Sequence, residues 1–254
     1  TGFVGKWHTG RPPKFGPEQQ GYQVNIGGSG DGNPSVWDGG YFEPNNNSEI
    51  NDAEEGEYLT DYLTRKAIEY IKDNQEGPFY LNLSFYTPHW PLQAPDHLVE
   101  KYRQKEPEGG HLNATYAAMI ESMDTNVGKI MNVLDELGIA ENTVLIFMSD
   151  NGGIGGYEYI EDRPESNSII VSGVTDNRPY KGGKTTYYEG GIRTPLVMRW
   201  PGVIKPGTIT NEPVIGIDLY PTYLDIAGIN KPKDYLLDGI SLLPLLKNPN
   251  ISLN

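Results

Sequence analysis

The chain has 254 residues, with 37% hydrophobic and 21% charged, and its 20 Lys and Arg face 34 Asp and Glu for a formal charge of −14. That composition is globular and long enough for a substantial core, and so acidic a surface excludes a generic nucleic-acid or anionic-membrane binder while leaving room for a small basic pocket. With no cysteine, a disulfide framework, a thiolate zinc site and a cysteine nucleophile are excluded within these residues, and no apolar run approaches the roughly 18 residues of a membrane span.

In chain order, Gly2-Phe3-Val4-Gly5 reads as the tail of a buried strand, so the chain is expected to be a piece cut from a longer protein. From Arg11 to about Gly56 the sequence is dense in Gly, Pro, Asn and Ser without periodicity. A stretch of that length is usually a binding loop or a disordered insertion, and Tyr22, Trp37, Tyr41 and Phe42 favour an ordered loop with aromatic anchors. Tyr58, Leu59, Tyr62, Leu63, Ala67, Ile68 and Ile71 recur at helical spacing. Phe79 to Tyr86 reads as a strand after the Gly77-Pro78 break.

A second helix is predicted with Tyr116, Ile120, Met123, Val127, Ile130, Leu134 and Leu137 on its apolar face and Gly138 as its stop. Val144 to Met148, apolar on both faces, reads as a central strand of a parallel sheet covered by helices. A loop rich in Gly, Tyr, Asp and Arg runs from Gly152 to Thr186, followed by a short strand from Pro195 to Trp200 and a helix from Asp218 to Ala227. Past that helix no closing element is evident. Strand, helix, strand in this order predicts an α/β layered fold.

Ligands of open α/β sheets bind beyond the carboxyl ends of the strands. Four polar clusters follow apolar runs: Lys6-Trp7-His8, Pro88-His89-Trp90-Pro91, Ser149-Asp150-Asn151-Gly152-Gly153, and Gly182-Gly183-Lys184-Thr185-Thr186. Each has an ordinary reading, as a turn, a loop histidine or solvated lysines. Together they describe a site. Asp150 and Asn151 are hard oxygen ligands suited to Ca²⁺ or Mg²⁺, which needs further oxygens from elsewhere. Lys6, His8, His89 and Lys184 supply donors to an anion, as hydrolysis of a sulfate or phosphate ester requires.

At these positions the sequence resembles the formylglycine-dependent sulfatases of the alkaline phosphatase superfamily. The blocks Gly5-Lys6-Trp7-His8-Thr9-Gly10, Thr87-Pro88-His89-Trp90-Pro91, Ser149 to Gly153, and Gly182 to Pro195 follow that family's order and rough spacing. The likeness extends from Gly2 to about Leu246. It implies a sulfatase sandwich, a mostly parallel central sheet flanked by helices, with residues 1–254 a partial catalytic domain lacking the C-terminal subdomain. It implies that Asp150 and Asn151 bind the calcium, that Lys6 and His8 hold the formylglycine gem-diol with His8 as a base, and that His89 and Lys184 bind the sulfate, His89 protonating the leaving alcohol. The nucleophile motif Cys/Ser-x-Pro-x-Arg and two further metal aspartates are expected upstream of Thr1, and these residues alone are expected to be inactive. Thr9 stands where the family usually has Leu, and Thr185 where Gly commonly follows the lysine; both are expected to be tolerated.

The substrate expected from the resemblance is a small-molecule or polysaccharide sulfate ester, and a carbohydrate is favoured by Tyr22, Trp37, Tyr41, Tyr157, Tyr159, Arg163 and Arg178 in the two loops. A periplasmic or secreted location is implied in the same way. The alternatives are a phosphonate monoester or phosphodiester hydrolase of the same superfamily and a non-catalytic sulfated-glycan binder.

Overall fold

A computed structural model describes residues 1–43, 46–155, 174–231 and 233–253. The chain divides into two compact units, the first Thr1–Ile139 with Met148–Leu196 and the second Ala140–Phe147 with Val197–Asn254.

The first unit is built on a parallel sheet. Strands β1 (Gly2–Gly5), β2 (Val24–Ile26) and β3 (Leu81–Ser84) lie in the order β2-β1-β3, with Gly2 opposite both Val24 and Leu81 and Gly5 opposite Ser84. All four residues of β1 are buried, as the sequence leads one to expect of a central strand. Its last residue has φ +102°, and a Cβ there would lie 2.0 Å from the Ser84 carbonyl oxygen, so only glycine lets β1 close against β3 at this end.

Helix α1 (Leu59–Asn74) buries Leu59, Tyr62, Leu63, Ala67, Tyr70 and Ile71 and packs on β1 and β3. Helices α2 (Asp96–Arg103) and α3 (Ala114–Glu136) complete the layer, α3 touching both α1 and α2. The Asn113 side chain caps α3 by accepting from the Tyr116 N–H at 2.9 Å. One turn, α4 (Glu189–Ile192), lies in the segment after Lys184. The core gathers Val4, Trp37, Tyr41, Tyr58, Leu63, Tyr86 and Met119.

The structure differs from the sequence expectations in several places. The loop from Arg11 to Gly56 does contain a strand, β2, whose three residues are too few to show a period and are recruited by pairing with β1. Helix α2 escaped the periodicity reading because it buries only Val99. The buried face of α3 is Ala118, Met119, Ser122, Asn126, Ile130 and Leu134, while Ile120 is 37% exposed. The face is turned because Asn126, an apparently polar position, donates to Asp61 of α1 at 3.0 Å and is thereby satisfied inside. Among the expected anchors Trp37 and Tyr41 are buried, and Tyr22 meets the rings of Phe3 and Trp7 edge-on. Three residues expected to face a sugar, Tyr22, Trp37 and Tyr41, are thus packing groups; Tyr157, Tyr159 and Arg163 lie outside the described residues.

In the second unit β4 (Leu145–Met148) pairs with β5 (Leu196–Arg199) in a two-stranded sheet, with the terminal Met148 and Leu196 belonging to the first unit. Strand β4 also differs from expectation: among the described residues it is not a covered central strand. Leu145 to Phe147 are half-buried and Met148 is 41% exposed. An apolar run reports avoidance of water and not the identity of the neighbours, and β5 is the one strand beside it among the described residues. Helices α5 (Leu219–Ile226) and α6 (Leu243–Lys247) follow, the latter unanticipated from sequence. Asp218 joins them by accepting from the Ile215 and Ile240 N–H groups at 2.9 and 2.8 Å.

The close approach at Gly5 is directly testable. Gly5→Ala combines a left-handed backbone with a steric overlap against a carbonyl, and is expected to cost about 2–4 kcal/mol, read as a lower urea midpoint at unchanged slope.

Candidate active site

Two of the candidate residues leave neighbouring strands of one sheet at the same end. Lys6 follows β1, and its N–H continues the ladder by donating to the Ser84 carbonyl at 2.8 Å. His89 stands five residues beyond β3, held by its own N–H to the Tyr86 carbonyl at 2.8 Å and by the Tyr41 hydroxyl, which donates to the His89 carbonyl at 2.9 Å. Cis peptide bonds at Thr87-Pro88 and Trp90-Pro91 bracket it. Tyr58 extends the clamp, its hydroxyl donating to the Gln93 carbonyl at 2.8 Å, while the Gln93 side chain accepts from the Tyr41 N–H at 2.9 Å. Burial pushes both tyrosine hydroxyls well above their ordinary pKa, so they remain donors at any ordinary pH.

The other three residues come together through glycine backbones. Asp150 and Asn151 follow β4, and the chain beyond them is tied to the Lys184 segment by Gly152 N–H to Gly191 O and by Lys184 N–H to Gly153 O, both 2.8 Å. The approach is close enough that a Cβ on Gly152 would lie 1.8 Å from the Gly190 oxygen, and one on Gly183 would lie 2.1 Å from the Gly155 oxygen. Gly-Gly pairs at 152–153, 182–183 and 190–191 are therefore contact surfaces, besides being turn formers.

The electrostatics show which side chains share a neighbourhood. Burial lowers the Lys6 pKa, Asp150 opposes that shift and Lys184 adds to it. Burial likewise lowers His89; the Trp90 carbonyl and Asp150 act against this, and Lys184 and Lys6 reinforce it. Among the described residues, the charges acting on this locality are thus the ammonium groups of Lys6 and Lys184 and the Asp150 carboxylate. His89 Nδ1 lies 3.0 Å from the Trp90 carbonyl, which can only accept, so Nδ1 carries hydrogen and Nε2 is the free face.

His8 is placed differently. It is exposed, has φ +52°, and its ring lies so close over Gly32 that a Cβ there would be 2.4 Å from Cε1.

Asp150 and Asn151 fit a hard cation in donor type. The Asn151 amide nitrogen is committed to the Gly152 carbonyl at 3.0 Å, which leaves its oxygen as the ligating end, and the Asp150 carboxylate is exposed beside it. Among the described residues no cluster of three or more His, Asp or Glu stands ready to hold a metal, so the pair contributes only part of the roughly six to eight oxygens that Ca²⁺ takes.

Sequence reading missed Asn177 and assigned Thr186 no role of its own. The Asn177 amide reaches the carbonyls of Gly153, Gly155 and Gly182, and the Thr186 hydroxyl donates to Gly183 O at 2.7 Å. Asn-Arg-Pro reads locally as a turn, and nothing in it announces partners more than twenty residues away. Arg178 is highly exposed and paired with Asp176 through its Nε at 2.7 Å.

A family model described as Sulfatase matches residues 1–229. The chain belongs to the sulfatase family. Human steryl-sulfatase is 38% identical over 189 residues, covering 74% of this chain and 30% of its own length. Mouse N-acetylgalactosamine-6-sulfatase is 30% identical over 264 residues, covering 96% of this chain and 46% of its own. The chain thus spans less than half the length of these curated relatives. Among solved structures, Ps i-CgsB in complex with k-i-k-neocarrahexaose superposes with a TM-score of 0.76 at 30% identity, covering 96% of this chain and 54% of that one. The parallel sheet with its helices is the α/β, alkaline-phosphatase-like fold of these sulfatases.

Thr185, where the resemblance leads one to expect glycine, is a β-branched residue that adopts φ +72°, a left-handed conformation disfavoured for it. Thr185→Gly is expected to raise stability by about 1 kcal/mol, measured by chemical denaturation. The charge cluster makes its own prediction. The His89 ring should titrate below 6.5, followed by NMR of its carbon-bound protons. Lys184→Ala removes a repelling cation and should move that titration upward, whereas Asp150→Asn should move it down; an unmoved His89 in both variants contradicts the geometry.

Proposed function

We propose that the complete protein hydrolyses sulfate esters, with a sulfated carbohydrate or aryl ester as substrate. The observation that carries this reading is the convergence of Lys6, His89 and Lys184 on one locality beside the Asp150 carboxylate. A sulfate ester places negative charge on oxygens around sulfur, and two ammonium groups and an imidazole are donors in number and sign for that charge. A calcium ion, with Mg²⁺ as the other hard cation the ligands suit, would be held by Asp150 and Asn151 and would neutralise sulfate charge, while the formylglycine typical of the family would supply the nucleophile.

In this reading Lys184 and His89 bind the sulfate. Lys6, its N–H fixed to β3, and His8 are assigned to hold the nucleophile, with His8 as a base. His89 holds the proton that the leaving alkoxide takes. Its Nδ1 is occupied by the Trp90 carbonyl, so the transferred proton sits on Nε2. In the free protein burial and the two lysines keep the ring neutral near pH 7, and the negative charge of a bound ester offsets the lysines and draws a proton onto it. Substrate therefore arms its own acid.

The names of the relatives support a carbohydrate or a steroid ester equally: N-acetylgalactosamine-6-sulfatase and steryl-sulfatase, with a neocarrahexaose bound to the superposed structure. Among the described residues no helix is long and apolar enough to cross a membrane, and a periplasmic or secreted site of action is proposed with the function.

The test is an assay of the complete protein on a carbohydrate sulfate, an aryl sulfate and an aryl phosphodiester in the presence of calcium. Sulfate release is expected, with kcat/KM falling by about 10²–10³-fold in His89→Ala and in Lys184→Ala. A large preference for the phosphodiester would reassign it as a phosphodiester or phosphonate hydrolase, and binding of sulfated glycan without turnover would make it a binding protein.

A further inference from the structure

Lys184 and the Asp150–Asn151 pair belong to segments more than thirty residues apart, and the chemistry proposed above needs them at a constant separation. Two backbone hydrogen bonds join those segments, at Gly152 and Gly153. They do not account for three carbonyl oxygens that converge beside them. Gly153 O, Gly155 O and Gly182 O lie 2.9, 3.0 and 3.1 Å from a single atom, the amide nitrogen of Asn177. Carbonyls pointed together repel through their negative ends, and an arrangement of three of them requires a donor at its centre.

We propose that Asn177 is the positioning residue of this site: its amide group, shared among the Gly153, Gly155 and Gly182 carbonyls, sets Lys184 against the Asp150–Asn151 end of β4. The proposal rests on the sulfatase reading for its purpose, and on hydrogen bonding for its structure. Only one orientation of the amide serves, because the oxygen end would face three acceptors. Two N–H bonds reach three oxygens by sharing one in a three-centre arrangement.

The link to Lys184 is short. The Gly153 carbonyl accepts from Asn177 and, at 2.8 Å, from the Lys184 N–H, so both hang from the same oxygen three residues after Asp150. Gly182, the third acceptor, is two residues before Lys184 on the other side. Asn177 therefore grips both strands of the junction. The glycines keep this geometry because side chains have no room: a Cβ on Gly183 would lie 2.5 Å from the Gly153 oxygen and 2.8 Å from the Asn177 amide nitrogen itself. Thr186 reinforces the turn from the far side by bonding the Gly183 N–H and carbonyl. Asn177 touches no reacting group and acts only through these backbones.

The experiment compares the parent protein with Asn177→Ala and Asn177→Asp, in calcium-containing buffer. Inorganic sulfate affinity is measured by calorimetry, and amide hydrogen exchange is followed at Lys184 and Gly152. Both variants are expected to bind sulfate at least about 10-fold more weakly and to lose exchange protection at those two amides, while the amides of α1 and α3 stay protected. Asn177→Asp keeps the volume and removes the donor, so it should be impaired at least as much as Asn177→Ala. Parent-like affinity and protection in the Asp variant would overturn the proposal, since packing alone would then suffice. Leu245→Ala, a core deletion in the other unit, serves as a control for loss of stability and should leave sulfate affinity unchanged. Should the Asn177 variants fail to fold, the parent still decides: its Asn177 side-chain amide protons should be inequivalent and slow to exchange, and fast-exchanging, averaged resonances would overturn the assignment. A parent protein that binds no sulfate sinks the sulfate-ester reading, while the exchange data judge Asn177 separately.

Discussion

The contact on which the site depends is the approach of β1 to β3 at Gly5 and Ser84. Parallel strands hydrogen-bond along slanted, evenly spaced lines, and here the line continues one residue past the sheet, to the Lys6 N–H on the Ser84 carbonyl. A side chain at Gly5 would force the ends apart. Because it is absent, the segment carrying Lys6 and the loop carrying His89 start from adjacent backbones and diverge only beyond the sheet. That is the geometry by which α/β folds assemble sites at strand ends.

Around that contact two kinds of support operate. On the β3 side the loop is held by large buried aromatics: Tyr41 and Tyr58 each spend a hydroxyl on a loop carbonyl, and Tyr41 is fully buried. Rigid rings with a polar tip suit this task, since they fill core volume and still place one directed hydrogen bond. On the Lys184 side the support is the reverse. Glycine backbones press together, small polar groups fill the remaining valences, and Thr185 is held in a left-handed conformation at the turn. Non-glycine residues with positive φ among the described residues are His8 and Thr185, one two residues after Lys6 and the other next to Lys184. Strained backbone of this kind persists where surrounding contacts over-determine it.

The charge balance is local. A protein with a formal charge of −14 gathers cations at one place: burial lowers the pKa of Lys6 and of His89, Lys184 adds to both shifts, and Lys6 adds to that of His89. Surface carboxylates beyond about 8 Å are screened by physiological salt, so the acidic exterior and the cationic site coexist. Asp150 offsets part of the cost of holding those cations together, and a bound anion would offset more of it.

The local sequence was enough to determine a good deal. The helix from Leu59, the long helix ending before Gly138, the strands after Gly77-Pro78 and before Ser149, and the identities of Lys6, His89, Asp150, Asn151 and Lys184 as candidates all follow from periodicity, turn chemistry and donor type, which are short-range properties. Tertiary structure decided the rest. It recruited Val24–Ile26 as a strand, turned α3 so that Asn126 faces Asp61, left β4 half-covered, made Tyr22, Trp37 and Tyr41 packing groups, and gave Asn177 two distant carbonyls to satisfy besides that of Gly182. Each of these rests on a partner far along the chain, and a hydrogen bond or a buried face is a property of two segments, whereas a sequence window contains only one.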